Sequence, residues 1–426
     1  MAIGLYVTGS RVTRSDGVLD EVLAWLRENH ALTLCASEHG HDDRGRPCLL
    51  VSFHPGAEDV VLTLREDGGL DASAVTSPAG PGYHAHVCEV LHGLGAHFDV
   101  DWAPEDPRGE TGDETGFFHT KNRPALEDAM ARWLAALAGR VRTLRAEGRE
   151  AIGFSLPEEH TYLFDGSVAT PLGPRDDAWL ARTHADGRAG FDVFPWAEPG
   201  TGAGYLLGRA LVRMWRDVRW RRPGDEDEAE TLAEVTALLE AAHTADPRRA
   251  YPWREWAELL ALLGQDSLLA TRAQLRAETA PPAAPIGYRR GEVRARLSGG
   301  WTIDLPGSLA ERWDDAQTWC AWERGRTVWF TSLRVAETGP ASADDTLAGL
   351  PPLEGEVQEH RTPGRVGIAA FGRGTTDGVE LAQLRAYMAA PGSAAVLTVC
   401  FEDDADRDLA LTLWRSLRFA PPQASR

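Results

Sequence analysis

The chain is 426 residues long, which suits two domains of ordinary size and leaves room for a third. Its 44 basic and 64 acidic side chains give a formal charge of −20. That balance excludes an intrinsic nucleic-acid binder and disfavours docking on an anionic membrane, since both need a surplus of Lys and Arg. A hydrophobic content of 43% with 15 Trp is enough for a packed core, and no stretch approaches the roughly 18 uninterrupted apolar residues of a membrane span.

Residues 3–7 predict a short strand, and Leu19, Val22, Leu23 and Leu26 then mark one face of a helix that Asp16 would cap. Residues 32–36 and 49–53 read as strands joined by the polar turn 39–47, and residues 60–64 and 70–75 repeat the pattern around Asp67-Gly68-Gly69. That is an antiparallel meander. A Pro/Gly break at 77–82 leads into a helix over about 83–94. Residues 103–120, acidic and rich in Gly and Pro, read as an exposed loop. Lys121 or Asn122 then opens the longest helix of this half, with Leu126, Met130, Trp133, Leu134 and Leu137 at helical spacing. Residues 151–156 and 162–164 are strand candidates, 176–183 a short helix and 205–220 a longer one.

An acidic run over 223–230 opens the middle of the chain. Helices around 232–242 and 253–263, separated by Asp246-Pro247, predict an αα-hairpin, and a single such unit is too little for a solenoid. The Pro/Ala stretch 280–285 is the clearest linker. Beyond it, strands are predicted over 293–297, 301–305, 319–322, 327–333, 366–371, 379–388 and 394–401, followed by a helix over 406–417. The fold class expected is α+β. An N-terminal α+β domain over 1–222 holds the antiparallel meander with its helices, and a helical hairpin covers 223–279. A linker at 280–290 leads to a C-terminal antiparallel sheet with a closing helix over 291–426.

The opening Gly300-Trp301-Thr302-Ile303-Asp304-Leu305-Pro306, the strand ending Val396-Leu397-Thr398-Val399-Cys400-Phe401 and the closing Arg415-Ser416-Leu417-Arg418-Phe419 give this last stretch a family likeness. It resembles the PsbP/DcrB-like α/β/α sandwich family. The resemblance covers less than a third of the chain and implies a binding or assembly module without catalysis. Some bacterial members sit beside secreted toxins and the proteins that neutralise them.

One lysine (Lys121) against 43 Arg, with five Ile and two Asn, points to the codon bias of a G+C-rich bacterial genome, so Arg carries no special weight here. The five cysteines are odd in number and form no CxxC, which indicates neither a disulfide framework nor a zinc knuckle. The first ten residues lack a charged start and a long apolar run, so cytoplasmic residence is expected.

Nine of the 13 histidines lie in residues 1–119. On a helix, His84, Cys88 and His92 fall at i, i+4 and i+8 on one face, with zinc-ligating chemistry. Three ligands so placed span about 12 Å of rise, too far for one ion. An adjacent pair would need a partner from elsewhere, such as His119 or Glu114; the competing reading is semi-buried polar helix positions. His39-Gly40-His41-Asp42-Asp43 opens like a metallo-hydrolase HxHxD, though Arg44 stands where that signature has another His, and a hairpin turn explains it as well. Gly200-Thr201-Gly202-Ala203-Gly204 offers backbone N–H groups to an anion but lacks dinucleotide spacing. With Lys121 the only lysine and no GxSxG elbow, P-loop and hydrolase-elbow chemistry are excluded.

Charge is concentrated. Residues 51–120 hold 13 acidic and two basic side chains, a local net of −11. Asp99, Asp101, Glu105, Asp106, Glu110, Asp113 and Glu114 are the expected surface for a basic protein partner, since charge of one sign speeds encounter with its opposite. A plain solubility role is the competing reading. The function expected is a non-enzymatic bacterial interaction protein, toxin-neutralising or secretion-accessory, that needs no cofactor. The alternative is a metal-dependent hydrolase using the His-rich region, for which zinc is the ion that His84, Cys88, His92 or His119 would take.

Overall fold

The computed structural model describes residues 2–11, 17–103, 112–148, 152–157, 159–163, 168–281, 284–314, 317–334, 342–376 and 379–421. The chain forms two compact units. The first holds residues 1–156, 165–218 and 227–287; the second holds 157–164, 219–226 and 288–426.

The first unit opens with β1 (Gly4–Arg11), α1 (Val18–Asn29), β2 (Ala36–His41), β3 (Pro47–Ser52), β4 (Val60–Leu64) and β5 (Gly69–Val75). It continues through α2 (Pro81–Phe98), β6 (Trp102–Ala103), α3 (Phe117–Thr120) and α4 (Arg123–Ala146). Its six strands form one antiparallel sheet in the order β2-β3-β4-β5-β1-β6. The two-residue period divides it into faces: Leu5, Val7, Leu62, Ala72 and Ala74 are buried on one side, while Gly4, Tyr6, Val61, Ser73 and Val75 stay half-buried on the other. The expected helix α1 buries Val18, Leu19, Val22, Leu23 and Leu26 and touches β3. The strand expected at 32–36 begins only at Ala36, because the His30 carbonyl accepts from the N–H groups of Thr33 and Leu34 and holds a turn there. The hairpin turn shrinks to residues 42–46, closed by Asp42, whose Oδ1 accepts from the N–H groups of Arg44 and Arg46. The expected cap of α1, Asp16, lies outside the described residues.

Helix α2 is buried almost all round, including the whole run from Pro81 to Cys88, as expected of a helix apolar on every side. Asn122 caps α4, its Oδ1 accepting from Ala125 N–H at 3.2 Å. After β7 (His160–Tyr162), which belongs to the second unit, come α5 (Asp177–Ala185), α6 (Ala203–Arg216), α7 (Glu226–Ala245), α8 (Trp253–Leu262) and α9 (Leu268–Thr279). The strand expected at 151–156 reduces to a single bridge, Gly153 to Ala169. Helix α9 was not expected from the sequence. It buries only Ala273 and leaves Leu268 and Leu275 86% and 60% exposed, so it carries no readable apolar face.

The second unit adds β8 (Glu292–Arg296), β9 (Trp301–Pro306), β10 (Ala310–Trp313), β11 (Thr318–Glu323), β12 (Arg326–Arg334), α10 (Ala343–Ala348) and β13 (Val357–Thr362). It closes with β14 (Arg365–Thr376), β15 (Val379–Ala390), β16 (Ser393–Phe401), α11 (Arg407–Ser416) and β17 (Arg418–Phe419). Two antiparallel sheets result, β10-β11-β12-β16-β15-β14-β13 and β17-β9-β8-β7. Helix α11 touches both, at β9 and β15, and buries Ala410, Leu413 and Trp414. Trp414 Nε1 donates to Tyr387 O, and Trp301 Nε1 donates to Ser393 Oγ, so both core indoles are satisfied. The fold is α+β with three antiparallel sheets. Among the described residues no helix is long and apolar enough to cross a membrane.

Candidate functional site

Two of the expected metal-ligating residues meet a third that helix spacing could not supply. His84 and Cys88, one turn apart on α2, face Asp113, and their ligating atoms all lie within 4.8 Å of one another. Asp113 arrives there because its backbone bridges Leu5 of β1, which turns its side chain toward the covered side of the sheet. His84 Nδ1 lies 2.8 Å from Thr76 Oγ1, and Nε2 lies 3.4 Å from Asp113 Oδ1 and 3.1 Å from Thr115 Oγ1. The Asp113 carboxylate also accepts from Thr115 N–H, from the Thr115 hydroxyl and from Phe118 N–H, at 2.8, 2.7 and 2.7 Å. Asp113 therefore fastens the 113–118 segment to α2.

All three side chains are shut away from solvent: His84 is fully buried, Cys88 is 1% exposed and the Asp113 carboxylate 2%. Burial works to raise the Asp113 carboxyl, but the hydrogen bond and charge of His84, with the Phe118 and Thr115 donors, outweigh it and hold it well below the usual carboxylate range. Burial, reinforced by the Asp113 charge, pushes the Cys88 thiol up, so it is no nucleophile as it stands.

The remaining candidates go elsewhere. His92 Nε2 donates to Phe118 O at 2.7 Å and its ring stacks on Phe118, while His119 is exposed and edge-on to the same ring. Neither joins the cluster. Asp113, expected on the acidic surface, is instead buried beside His84 because its backbone runs along β1. Asp99 caps the C-terminus of α2 and is exposed, as are Asp101 and Glu114; Glu105, Asp106 and Glu110 lie outside the described residues. His39 pairs with Asp20 at 3.2 Å and Asp42 is consumed by its turn, so the HxHxD run gathers no ligand set. At the Gly-rich start of α6, a Cβ on Gly204 would lie 2.7 Å from Glu198 Oε2. A carboxylate of the chain, paired with Arg249, already stands where an anion would sit.

Glu114 follows Asp113 and points the opposite way, onto the outer face of the sheet. There Tyr6, Ser73, Val75, Glu58, Asp59 and Glu114 line a cleft of about 250 Å³. Glu58, Asp59 and Glu114 are exposed, and among the described residues none has a basic side chain within ion-pair distance. The nearby cations are spoken for: Arg65 binds Asp67 and Asp71, and Arg46 binds Asp42 and Asp71. Glu58 and Asp59 entered the sequence reading only as part of the local charge. Their signal is position, directly before the first residue of β4. Thr76 and Thr115, which orient the buried cluster, carried no signal at all.

No family model and no curated protein matches the chain. Among solved structures, it is similar to the solution structure of cyanobacterial PsbP (CyanoP) from Synechocystis sp. PCC 6803, at 13% identity and a TM-score of 0.25, over 33% of this chain and 98% of that one. It is also similar to a crystal structure from Bacteroides thetaiotaomicron VPI-5482, at 8% identity and a TM-score of 0.26, over 32% of this chain; the match spans about half of that protein, 51%. The PsbP-like likeness thus extends over about a third of the chain, and neither match carries a ligand or an activity across.

Proposed function

We propose that the protein is a non-enzymatic interaction protein of the bacterial cytoplasm that receives a basic protein segment on the outer face of its first sheet. It would serve as a toxin-neutralising or secretion-accessory factor. The observation that carries this reading is the cleft rimmed by Glu58, Asp59 and Glu114 beside Tyr6, three exposed carboxylates that pair with no cation among the described residues. An Arg or Lys side chain entering it gains charge complementarity on the rim and an aromatic ring for its stem or cation. The alternative, a metal-dependent hydrolase, has less support. A scissile bond would have to reach His84, Cys88 and Asp113, and solvent itself scarcely reaches them.

The test is binding of Arg/Lys-rich peptides to the full chain by fluorescence anisotropy at low and high salt. Glu58→Gln, Asp59→Asn and Glu114→Gln together are expected to weaken binding by about tenfold or more, and added salt to weaken the unaltered protein in the same direction. Equal affinity for acidic and basic peptides, or binding indifferent to both salt and the triple substitution, would sink the reading.

A further inference from the structure

We infer that His84, Cys88 and Asp113 hold a structural zinc ion, bound by His84 Nε2, Cys88 Sγ and Asp113 Oδ1. The cluster is separate from the acidic cleft, and it brings imidazole, thiol and carboxylate together in one dry site. The Thr76 hydroxyl has one proton and lies 2.8 Å from His84 Nδ1 and 3.3 Å from Ile3 O, which already accepts from the Thr76 and Ser77 N–H groups. With its Nδ1 tied to that hydroxyl, His84 turns Nε2 toward Asp113 Oδ1, 3.4 Å away. The Thr115 hydroxyl likewise has one proton, and its 2.7 Å approach to Asp113 Oδ1 is shorter than its 3.1 Å approach to Nε2. Nε2 and Oδ1 thus face each other in a dry site, where a metal ion can take the place of the proton that joins them. Cys88 Sγ, a free thiol, is the third atom within 4.8 Å.

The ligand chemistry selects zinc. Imidazole nitrogen, sulfur and carboxylate oxygen together suit a borderline divalent ion without redox chemistry, better than the all-oxygen ions. A zinc tetrahedron has ligand–ligand edges of about 3.5 Å, so the His84–Asp113 edge at 3.4 Å is already closed, and Cys88 Sγ lies within 4.8 Å of both. Charge closes too. Zinc binding releases to solvent the Cys88 thiol proton and the proton between His84 Nε2 and Asp113, and the thiolate with the carboxylate neutralises the divalent ion, so the buried centre carries no net charge. Thr76 supplies the outer hydrogen bond that metal-bound histidines characteristically make. Such an ion would lock the 113–118 segment to α2, a structural role consistent with its inaccessibility.

The experiment uses the full chain without a histidine tag. Elemental analysis after gel filtration is expected to give about one zinc per chain. Replacement by cobalt is expected to give a thiolate-to-cobalt charge-transfer band and the visible spectrum of a tetrahedral ion. Cys88→Ser should abolish the band. Thr76→Val, which leaves all three ligands in place and is the milder change, should lower zinc affinity by 10–100-fold. His92→Gln and His119→Gln should retain full occupancy. Absence of stoichiometric zinc and of the cobalt band in the unaltered protein would overturn the proposal, leaving a hydrogen-bonded pair that shares a proton. A band that survives Cys88→Ser would overturn it equally.

Discussion

His54 is fully buried, its Nδ1 accepting from Gly56 N–H at 2.9 Å, so the neutral ring must carry its proton on Nε2, which finds no partner among the described residues. Trp196 and Tyr205 pack against the ring, and Arg209, Arg213 and Arg216 of α6 face it as cations. Burial first, then those three arginines, lowers its pKa to about 3. In the unfolded chain the group titrates near 6.5. Above that pH neither state binds the proton. Below it the unfolded state does and the folded state does not, so stability falls as pH drops from about 6.5 toward 3, by up to about 1.4 kcal/mol per pH unit. His54→Asn keeps an acceptor for Gly56 and removes the titration, and urea unfolding between pH 6 and 4 should then lose one proton's worth of slope. An unchanged slope would place the acid sensitivity elsewhere. At this scale the sequence was half legible. His84 and Cys88 follow from i, i+4 spacing, whereas Asp113 joins them only through a strand bridge between residues 5 and 113, a pairing no local pattern encodes.

Among elements, α2 depends most on its neighbours. Its N-terminal turn runs against the segment 194–198: Gly82 N–H donates to Trp196 O at 2.9 Å, and a Cβ there would fall 2.2 Å from Glu198 O and 2.5 Å from Trp196 Cδ1. Gly80 has φ 104° and a Cβ on it would meet Phe194 at 2.6 Å. Gly82→Ala should therefore cost about 1–3 kcal/mol, read as a lower urea midpoint with unaltered m, because the obstacle is backbone and cannot rotate away. A midpoint unmoved would mean that the 194–198 segment yields freely. Elements whose burial is periodic, such as β1, β4, α1, α11 and the long strands of the second unit, were legible in sequence. The strand forecast at 151–156 had the right composition but no partner to pair with, and α9 lacked the apolar stripe by which helices are recognised.

On the scale of the whole molecule, the units do not follow the order of the chain. Segment 157–164 gives the second unit its strand β7, and segment 219–226 is fixed there by Arg219 and Arg221, which donate to Leu309 O and Ser308 O. His160 bonds both oxygens of the buried Glu311 carboxylate at 2.9 Å, beside Arg289. Residues 288–426 produced alone would bare the edge of β8 and leave Glu311 with one partner fewer. Their thermal transition should lie below that of the same unit in the full chain, and a peptide spanning residues 155–166 should raise it. A fragment that melts unshifted and ignores the peptide would show β7 to be dispensable. Such an interleaved path was invisible to a reading that sought boundaries in linker composition, since β7 is three residues long. It also sets a schedule for synthesis. His160 pairs with Ala295, and at about 5–20 residues per second β7 emerges from the ribosome roughly 7–27 s before the strand it joins. The nascent chain must carry an unmatched strand through that interval, a delay that refolding from denaturant, with every partner present at once, never imposes.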